Sequence, residues 1–484
     1  MSKSSFEKVI SEQGQLIYSN VGDSMYPLIQ PRDLLVIKKP KASLKKYDIP
    51  LYKRGNGQYV LHRIVAVRDD GYVTCGDNRS VPEFGVMKKQ IIGILTDIIR
   101  DGKTLPVDAL TRERRLKNAF DLMYLISCDL SSATPDPEWI GSMHLTGVLR
   151  TAAAQGMLSA AAFALEKVMP LPYELNQVKK KAIRKIALFD IERAKILSEF
   201  EKQGIWYCPL KGIILKECYP MIGMREMSDN DILCDPRRMD DIRGITEKLG
   251  YKCTAFDMWN HDTYEKPPTL EFEMHRTLFV EDDAPDFSEY FSDIRSKLVG
   301  EGCSLEMTDA DFYIYMICHM YKHYIHGGTG LRNLADIVAY TERHDLKPFR
   351  IYIGAELQKL GVLDFERRMY ELAYSAVNGD ALNKEQEDLL LELESAGTYG
   401  NLEIAEYHSM LHSLGGDDSR QSKAKHLIKR IFPDDKYLQK HYPTVHRHRA
   451  LYPLLILYRP IKGILIRPRS IIKEAKMITG FRKK

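Results

Sequence analysis

The sequence predicts an α+β multidomain protein, with a small β-rich domain followed by an α/β core in a largely helical surround. Three observations carry that reading. Up to about residue 106, short runs alternate apolar and polar residues between turn-forming clusters. From residue 107 the apolar residues recur at three- and four-residue steps. Within that helical stretch, residues 210–234 break the pattern with a glycine turn, a short helix-period segment and an alternating run that ends Asp229-Asn230-Asp231-Ile232-Leu233. At 484 residues the chain exceeds one ordinary core, and the expected division is 1–106, 107–370 and 371–484.

Composition narrows the function classes. With 44% hydrophobic and 28% charged residues the chain reads as a soluble globular protein. No apolar run approaches the roughly 18 residues of a spanning helix, and MSKSSFEKVISEQG lacks the apolar core of a secretory signal. The eight cysteines form no CxxC pair, which fits a reducing, cytoplasmic setting and argues against zinc. Net charge is +4, but residues 421–484 hold 17 Lys/Arg against 3 Asp/Glu, leaving −10 on the rest.

In the first segment, Gln15–Val21, Leu34–Lys38, Tyr59–Val67, Tyr72–Cys75 and Gln90–Ile99 read as strands separated by Pro-Arg-Asp, Gly-Asn-Gly and Asp-Asp-Gly turns. They suggest a small barrel or folded sheet. Ser24 sits in the turn Gly22-Asp23-Ser24-Met25-Tyr26-Pro27, His62 lies inside an alternating run, and Gly76-Asp77-Asn78 closes a hairpin. Singly, these residues suit a cap, a core histidine and a turn. Together they resemble the signal peptidase and self-cleaving repressor superfamily of serine peptidases, in which a "G-x-S-M-x-P" turn carries the nucleophile. The resemblance implies Ser24 as nucleophile, His62 as base 38 residues later, and Asp77, ahead of Asp48 and Asp33, as the acid that orients it. Residues 1–20 do not supply the membrane helix that signal peptidases carry.

Residues 107–205 read as helices at Leu116–Leu130, Trp139–Gln155, Ser159–Val168 and Leu175–Gln203. Asp136 can cap the second, and the Lys179–Lys185 run reads as a solvated face.

The 210–234 block carries the chemistry. Asp229 and Asp231 point to one side of a strand and Ile232 to the other. Two carboxylates so close repel, and a divalent cation such as Mg2+ is the usual remedy, with a triphosphate completing its shell. Pro236–Leu249 follows as a helix, then a strand over Thr269–Phe279 in which Glu271, Glu273 and His275 share a face.

This block resembles the nucleotidyltransferase superfamily. With "EFEMHRTLF" and "TDADFYIYMICHMYKHY…LRNLADI" it is more closely similar to an uncharacterised bacterial nucleotidyltransferase-like family, over roughly residues 115–475. The resemblance implies a Mg2+ site of Asp229, Asp231 and Glu273, close approach of a nucleoside triphosphate at Gly212, and phosphate contacts from Lys211 or Arg225. Ile213 stands where the superfamily usually has a small hydroxyl residue.

His319 and His323 lie one helical turn apart, and Arg332 with Asp336 reads as an ion pair or a cleft-facing pair. In the basic tail, residues 446–484 combine apolar clusters with Arg447, Arg449, Arg459, Lys462, Arg467 and Arg469. They suit a buried helix pair or peripheral contact with an anionic membrane. The expected activity is nucleotidyl transfer from a nucleoside triphosphate to an unknown hydroxyl. The alternatives are a serine peptidase cutting a peptide or leader, and a non-catalytic binding scaffold.

Overall fold

The computed structural model describes residues 6–19, 21–40, 43–257, 260–281 and 285–397, with Arg447, Tyr452 and Leu455. The tail, and the membrane contact expected of it, lie outside the described residues apart from those three positions. Residues 1–318 and 330–398 group as one compact unit, and His319–Thr329 falls in a second. Among the described residues no helix is long and apolar enough to cross a membrane.

The first nine strands are β1 (Gln15–Ser19), β2 (Leu34–Lys38), β3 (Pro50–Lys53), β4 (Tyr59–Leu61), β5 (Arg63–Arg68), β6 (Gly71–Cys75), β7 (Glu83–Val86), β8 (Ile91–Arg100) and β9 (Lys103–Pro106). Strands β1-β2-β8-β3-β4 form a sheet with β9 on the far side of β8, while β5-β6-β7 form a second, smaller sheet. Strand β8 joins the first sheet together. Its Leu95 and Ile98 bury against Leu35 and Ile37 of β2 and against Met25 and Leu28 of the Ser24 turn, which fixes that turn to the core.

The single strand expected over 59–67 is divided at His62. Beyond it the backbone of Ile64 bonds to Asp48 and Tyr47, each at 2.8 Å, so the chain leaves β3 and enters the other sheet.

Helix Val107–Leu130 begins directly after β9, nine residues before the expected start. Its first turns are too charged to show a period, yet Val107 and Thr111 are buried. The helix expected over 139–155 is two, Pro137–Ser142 and Leu145–Ala154, parted by Met143 in an extended conformation. Tyr173–Lys202 runs unbroken for 30 residues.

The second large sheet holds β10 (Tyr207–Pro209), β11 (Asn230–Cys234), β12 (Lys252–Ala255), β13 (His261–Lys266) and β14 (Leu270–His275), in the order β10-β11-β14-β13-β12. Strands β11 and β14 run parallel and the other neighbours antiparallel. The even-numbered residues Ile232, Cys234, Phe272 and Met274 bury against Ile186, Phe189, Ile196 and Phe200 of the long helix and against Ile242 and Ile245 of helix Met239–Lys248. Side chains alternate along a strand, so this packing commits the odd-numbered residues to the opposite face. There Asp231 stands in register with Glu273, and His261 with His275.

One buried acid makes a stability test of the helical part. Asp129, near the end of Val107–Leu130, is 1% exposed. The Lys167 ammonium lies 3.2 Å from its Oδ1, but donates to the Cys128 and Ala133 carbonyls at 3.3 and 2.8 Å. Burial therefore outweighs the Lys167 charge and pushes the Asp129 carboxyl up to about 7. An unfolded aspartate titrates near about 3.9. The stability the native chain holds below that pH is therefore lost as pH rises to about 7. Asp129→Asn should be the more stable protein by roughly 1–3 kcal/mol at about pH 8, with the gain vanishing towards about pH 4. Urea melts at the two pH values measure this, and a pH-independent difference would refute it.

Candidate functional site

The glycine turn and the two parallel strands converge on Asp231. Lys211, which precedes Gly212, has φ 42° and ψ −115°, a left-handed conformation that a side chain adopts only under compulsion. The compulsion is visible: Lys211 Nζ reaches Asp231 Oδ1 at 2.6 Å. The same oxygen meets His275 Nε2 at 2.9 Å. Burial opposes both charges of the Lys211–Asp231 pair, yet their mutual attraction prevails. It raises the lysine above its usual range and holds the aspartate well below its own.

Gly212 has a packing reason. A Cβ there would meet Arg225 Nη1 at 3.0 Å and Met227 Cε at 3.2 Å.

The other acids are less well balanced. Burial, then the Asp231 charge, then Glu273 and Glu271, push Asp229 up to about 6 against the pull of Lys211. Glu271 is also raised, by burial and by Glu273. Two further cations feel the charge of this group. Lys185, read as part of a solvated run, is half-buried with its ammonium 3.3 Å from the Ser228 carbonyl. Burial lowers its pKa against the attraction of Asp229, Glu226 and Glu271. Arg332 is lowered by burial and by Arg225, and its Nη1 lies 3.4 Å from the Glu226 carbonyl.

The resemblance implied phosphate contact from Lys211 or Arg225, and Arg332 with Asp336 read as an ion pair or a cleft-facing pair. The structure instead commits Arg225 to Asp336, with Nε–Oδ1 at 2.7 Å and Nη2–Oδ2 at 2.9 Å. Tyr219 adds its hydroxyl to Oδ1 at 2.8 Å. Arg225 is 8% and Asp336 1% exposed, so this pair is an internal strut. It fixes the loop before β11 to helix Arg332–Arg343, while Arg332 is left facing the acids.

Strand β13, which sequence reasoning missed, supplies His261 and, just before it, Asn260. His261, Glu273 and His275 place their ligand atoms within 4.8 Å of one another. The Asn260 amide sets both rings. Its Nδ2 faces the Thr277 and Leu278 carbonyls, which marks it as the NH2 end, and its two N–H are shared between them and His275 Nδ1 at 3.3 Å. The His275 proton is therefore on Nε2, donated to Asp231. Asn260 Oδ1, 3.1 Å from His261 Nδ1, accepts that ring's proton. The bare Nε2 of His261 then confronts Glu273 Oε1 at 3.5 Å. Two acceptors aimed at each other fit a cation between them.

The Ser24 region is built otherwise. The Ser24 carbonyl accepts from Asn78 N at 2.8 Å, and Gly76 packs so tightly that a Cβ there would lie 2.5 Å from that oxygen. His62 sits edge-on to Tyr52 at 6.4 Å, its pKa lowered by burial and by Arg54. Asp77, the acid expected to orient His62, gives both oxygens to Arg63 at 2.7 Å each. A buried guanidinium one residue along the chain is the stronger partner, so the turn is close to the strand but the acid is spent elsewhere. His319 and His323 hydrogen-bond each other through Nε2 at 3.1 Å.

The mixed sheet thus presents a strained Lys-Gly turn and a group of carboxylates on one face. Residues 143–377 match a family described as "Uncharacterised nucleotidyltransferase", and the match spans every residue of this face. No match was found among curated proteins or among solved structures.

Two outcomes follow from the geometry. Arg225→Met should destabilise the fold by about 3–5 kcal/mol, because Asp336 is then buried without its counter-charge; the Arg225→Met/Asp336→Leu double variant should recover much of that loss. Additive losses in denaturant melts would show that the pair is no strut. Nitrogen beside carboxylate favours later transition metals over magnesium, so Mn2+ should bind more tightly than Mg2+ in calorimetry. His261→Ala should narrow that preference, and an unchanged ratio would remove His261 from the site.

Proposed function

We propose that this protein transfers a nucleotidyl group from a nucleoside triphosphate to a hydroxyl acceptor, at the face formed by the Lys211-Gly212 turn, β11, β13 and β14. The observation that carries the reading is the excess of carboxylate there. Asp229, Asp231, Glu271 and Glu273 lie near enough to raise or oppose one another's charge, and among the described residues Asp231 is the one with a lysine in contact. Like charges of this density call for a cation. A divalent metal would be held by Glu273 and His261, whose ligand atoms lie with that of His275 within 4.8 Å of one another, and Asp229 and Asp231 on the neighbouring strand would add carboxylates. Such an ion would neutralise the triphosphate and make the acceptor oxygen easier to deprotonate.

The chain's own groups have distinct tasks. His275 and Lys211 hold the Asp231 carboxylate in one orientation, and Asn260 holds His275. Lys185 and Arg332, cations kept partly dehydrated, supply positive charge to the phosphates. The acceptor oxygen attacks the α-phosphorus, the bond to the bridging oxygen of the β-phosphate breaks, and pyrophosphate leaves. The acceptor proton passes to the carboxylate cluster.

The test is incubation with each labelled nucleoside triphosphate, Mg2+ or Mn2+, and host lysate, followed by detection of a labelled product. Asp229→Asn and Glu273→Gln should each lower turnover by about a hundredfold or more, with little loss of fold. Labelling that survives both substitutions, or that needs no metal, would refute the reading.

A further inference from the structure

A cavity of about 350 Å³ lies where the β-rich segment meets the first helices, lined by residues from Pro27 to Glu394. It contains neither Ser24 nor any residue of the Asp231 face. Two carboxylates reach it, and both are spent. Asp77 is held by Arg63, and Glu394 accepts from Arg115 at 2.8 Å and from Tyr47 at 3.2 Å. Three further cations line the same space. Among the described residues Arg150 donates to neutral acceptors alone, including the Gly76 carbonyl at 3.0 Å. Lys46 lies over the Tyr47 ring at 4.9 Å. Arg114 and Lys46 have no carboxylate partner among the described residues. The cavity is thus a positive enclosure with its own negative charges already neutralised.

Its floor carries polar atoms without partners. Asn118 Oδ1 and both ring nitrogens of His144 are buried and make no hydrogen bond. Leaving such atoms unsatisfied costs roughly 1–3 kcal/mol each, and the backbone brings them together. Gly147 lies between them, where a Cβ would be 2.6 Å from Asn118 Nδ2 and 2.7 Å from His144 Nδ1. Pro27, Val65, Pro82 and Ala154 give an apolar stretch of wall beside the hydroxyls of Ser80, Thr111 and Thr151. Positive charge at the rim, unpaired donor and acceptor atoms at the floor and an apolar wall describe a ligand site rather than a packing defect.

We infer that this cavity binds a small organic anion, headed by a phosphate or carboxylate and bearing a hydroxyl or N–H group. The anion meets Arg114, Arg150 and Lys46, its body lies on the apolar wall, and its hydroxyl or N–H donates to Asn118 Oδ1 once that side chain turns out of its buried position. The lining residues come from the β-rich segment, from helix Val107–Leu130 and from helix Leu145–Ala154. The ligand therefore clamps the β-rich segment to the helices that follow it. The site does not depend on the transfer reaction proposed above.

Calorimetry on the full chain tests it with phenyl phosphate, 4-hydroxybenzoate and uncharged benzyl alcohol as probes. One or both anions should bind and the alcohol should not; whichever binds tighter tells phosphate from carboxylate. Arg114→Gln should weaken binding about tenfold or more while leaving the melting temperature of the unliganded protein unchanged. Val65→Phe, which keeps every cation but fills the space, should abolish it. Asp229→Asn should bind the anions as the parent chain does. The inference is overturned if neither anion binds, if benzyl alcohol binds as well as they do, if Arg114→Gln is without effect, or if Asp229→Asn removes the binding.

Discussion

The buried charge of Asp231 is the constraint to which the surrounding structure answers. A carboxylate taken from water and left unpaired costs several kcal/mol. That exceeds the roughly 1–3 kcal/mol of holding Lys211 in a left-handed conformation. Desolvation therefore outweighs strain, and the backbone at Lys211 bends so that its ammonium reaches Oδ1 at 2.6 Å. The same demand fixes the sheet. A parallel β11–β14 pair in the register Asp231–Glu273 and Leu233–His275 brings His275 to the other side of that oxygen. A slip of one residue would turn Phe272 and Met274 out of the core and His275 into it.

This hub needs a rigid frame, and the frame comes from distant sequence. Asp336 lies 111 residues beyond Arg225, yet accepts from two of its guanidinium nitrogens and from the Tyr219 hydroxyl. Three charge-assisted bonds at a buried site set the loop between the Gly212 turn and β11 against helix Arg332–Arg343. Arg332, released from Asp336, keeps a charge that burial disfavours. A cation held in that state has free energy to gain from an anionic ligand.

Sequence made the acid strand legible for a simple reason. Asp229 and Asp231 follow the two-residue period, and Ile232, which alternates with them, had to face a core. Glu273 and His275 were legible on the same ground, and Leu175–Gln203 was close to the observed Tyr173–Lys202 because its period is long and clean. Strand β13 was not legible. In HDTYEK the inward residues are Asp262 and Tyr264, and the buried Asp262 is met by Arg276 at 2.6 and 2.8 Å and by the Asp257 N–H at 2.8 Å. A buried ion pair erases the hydrophobic alternation that marks a strand, and His261 and Asn260 were lost with it. Arg63 and Asp77 show the same limit in reverse. Each suits a surface turn or a catalytic group by type, and only the fold reveals that they neutralise each other in the interior.

These buried pairs also decide where ligands can act. Arg63–Asp77, Arg115–Glu394 and Arg225–Asp336 are each closed, with donors and acceptors matched, and a closed pair offers a ligand nothing that desolvation would not take back. Sites arise where matching fails. At the sheet face it fails through surplus carboxylate, and at the cavity under helix Val107–Leu130 through surplus cation and the orphaned atoms of Asn118 and His144. The two faces have opposite sign, so a multiply charged anion meets the cavity directly but the sheet face only with a cation alongside. That asymmetry follows from which charges the fold has already paired, and it separates the two sites more firmly than sequence position does.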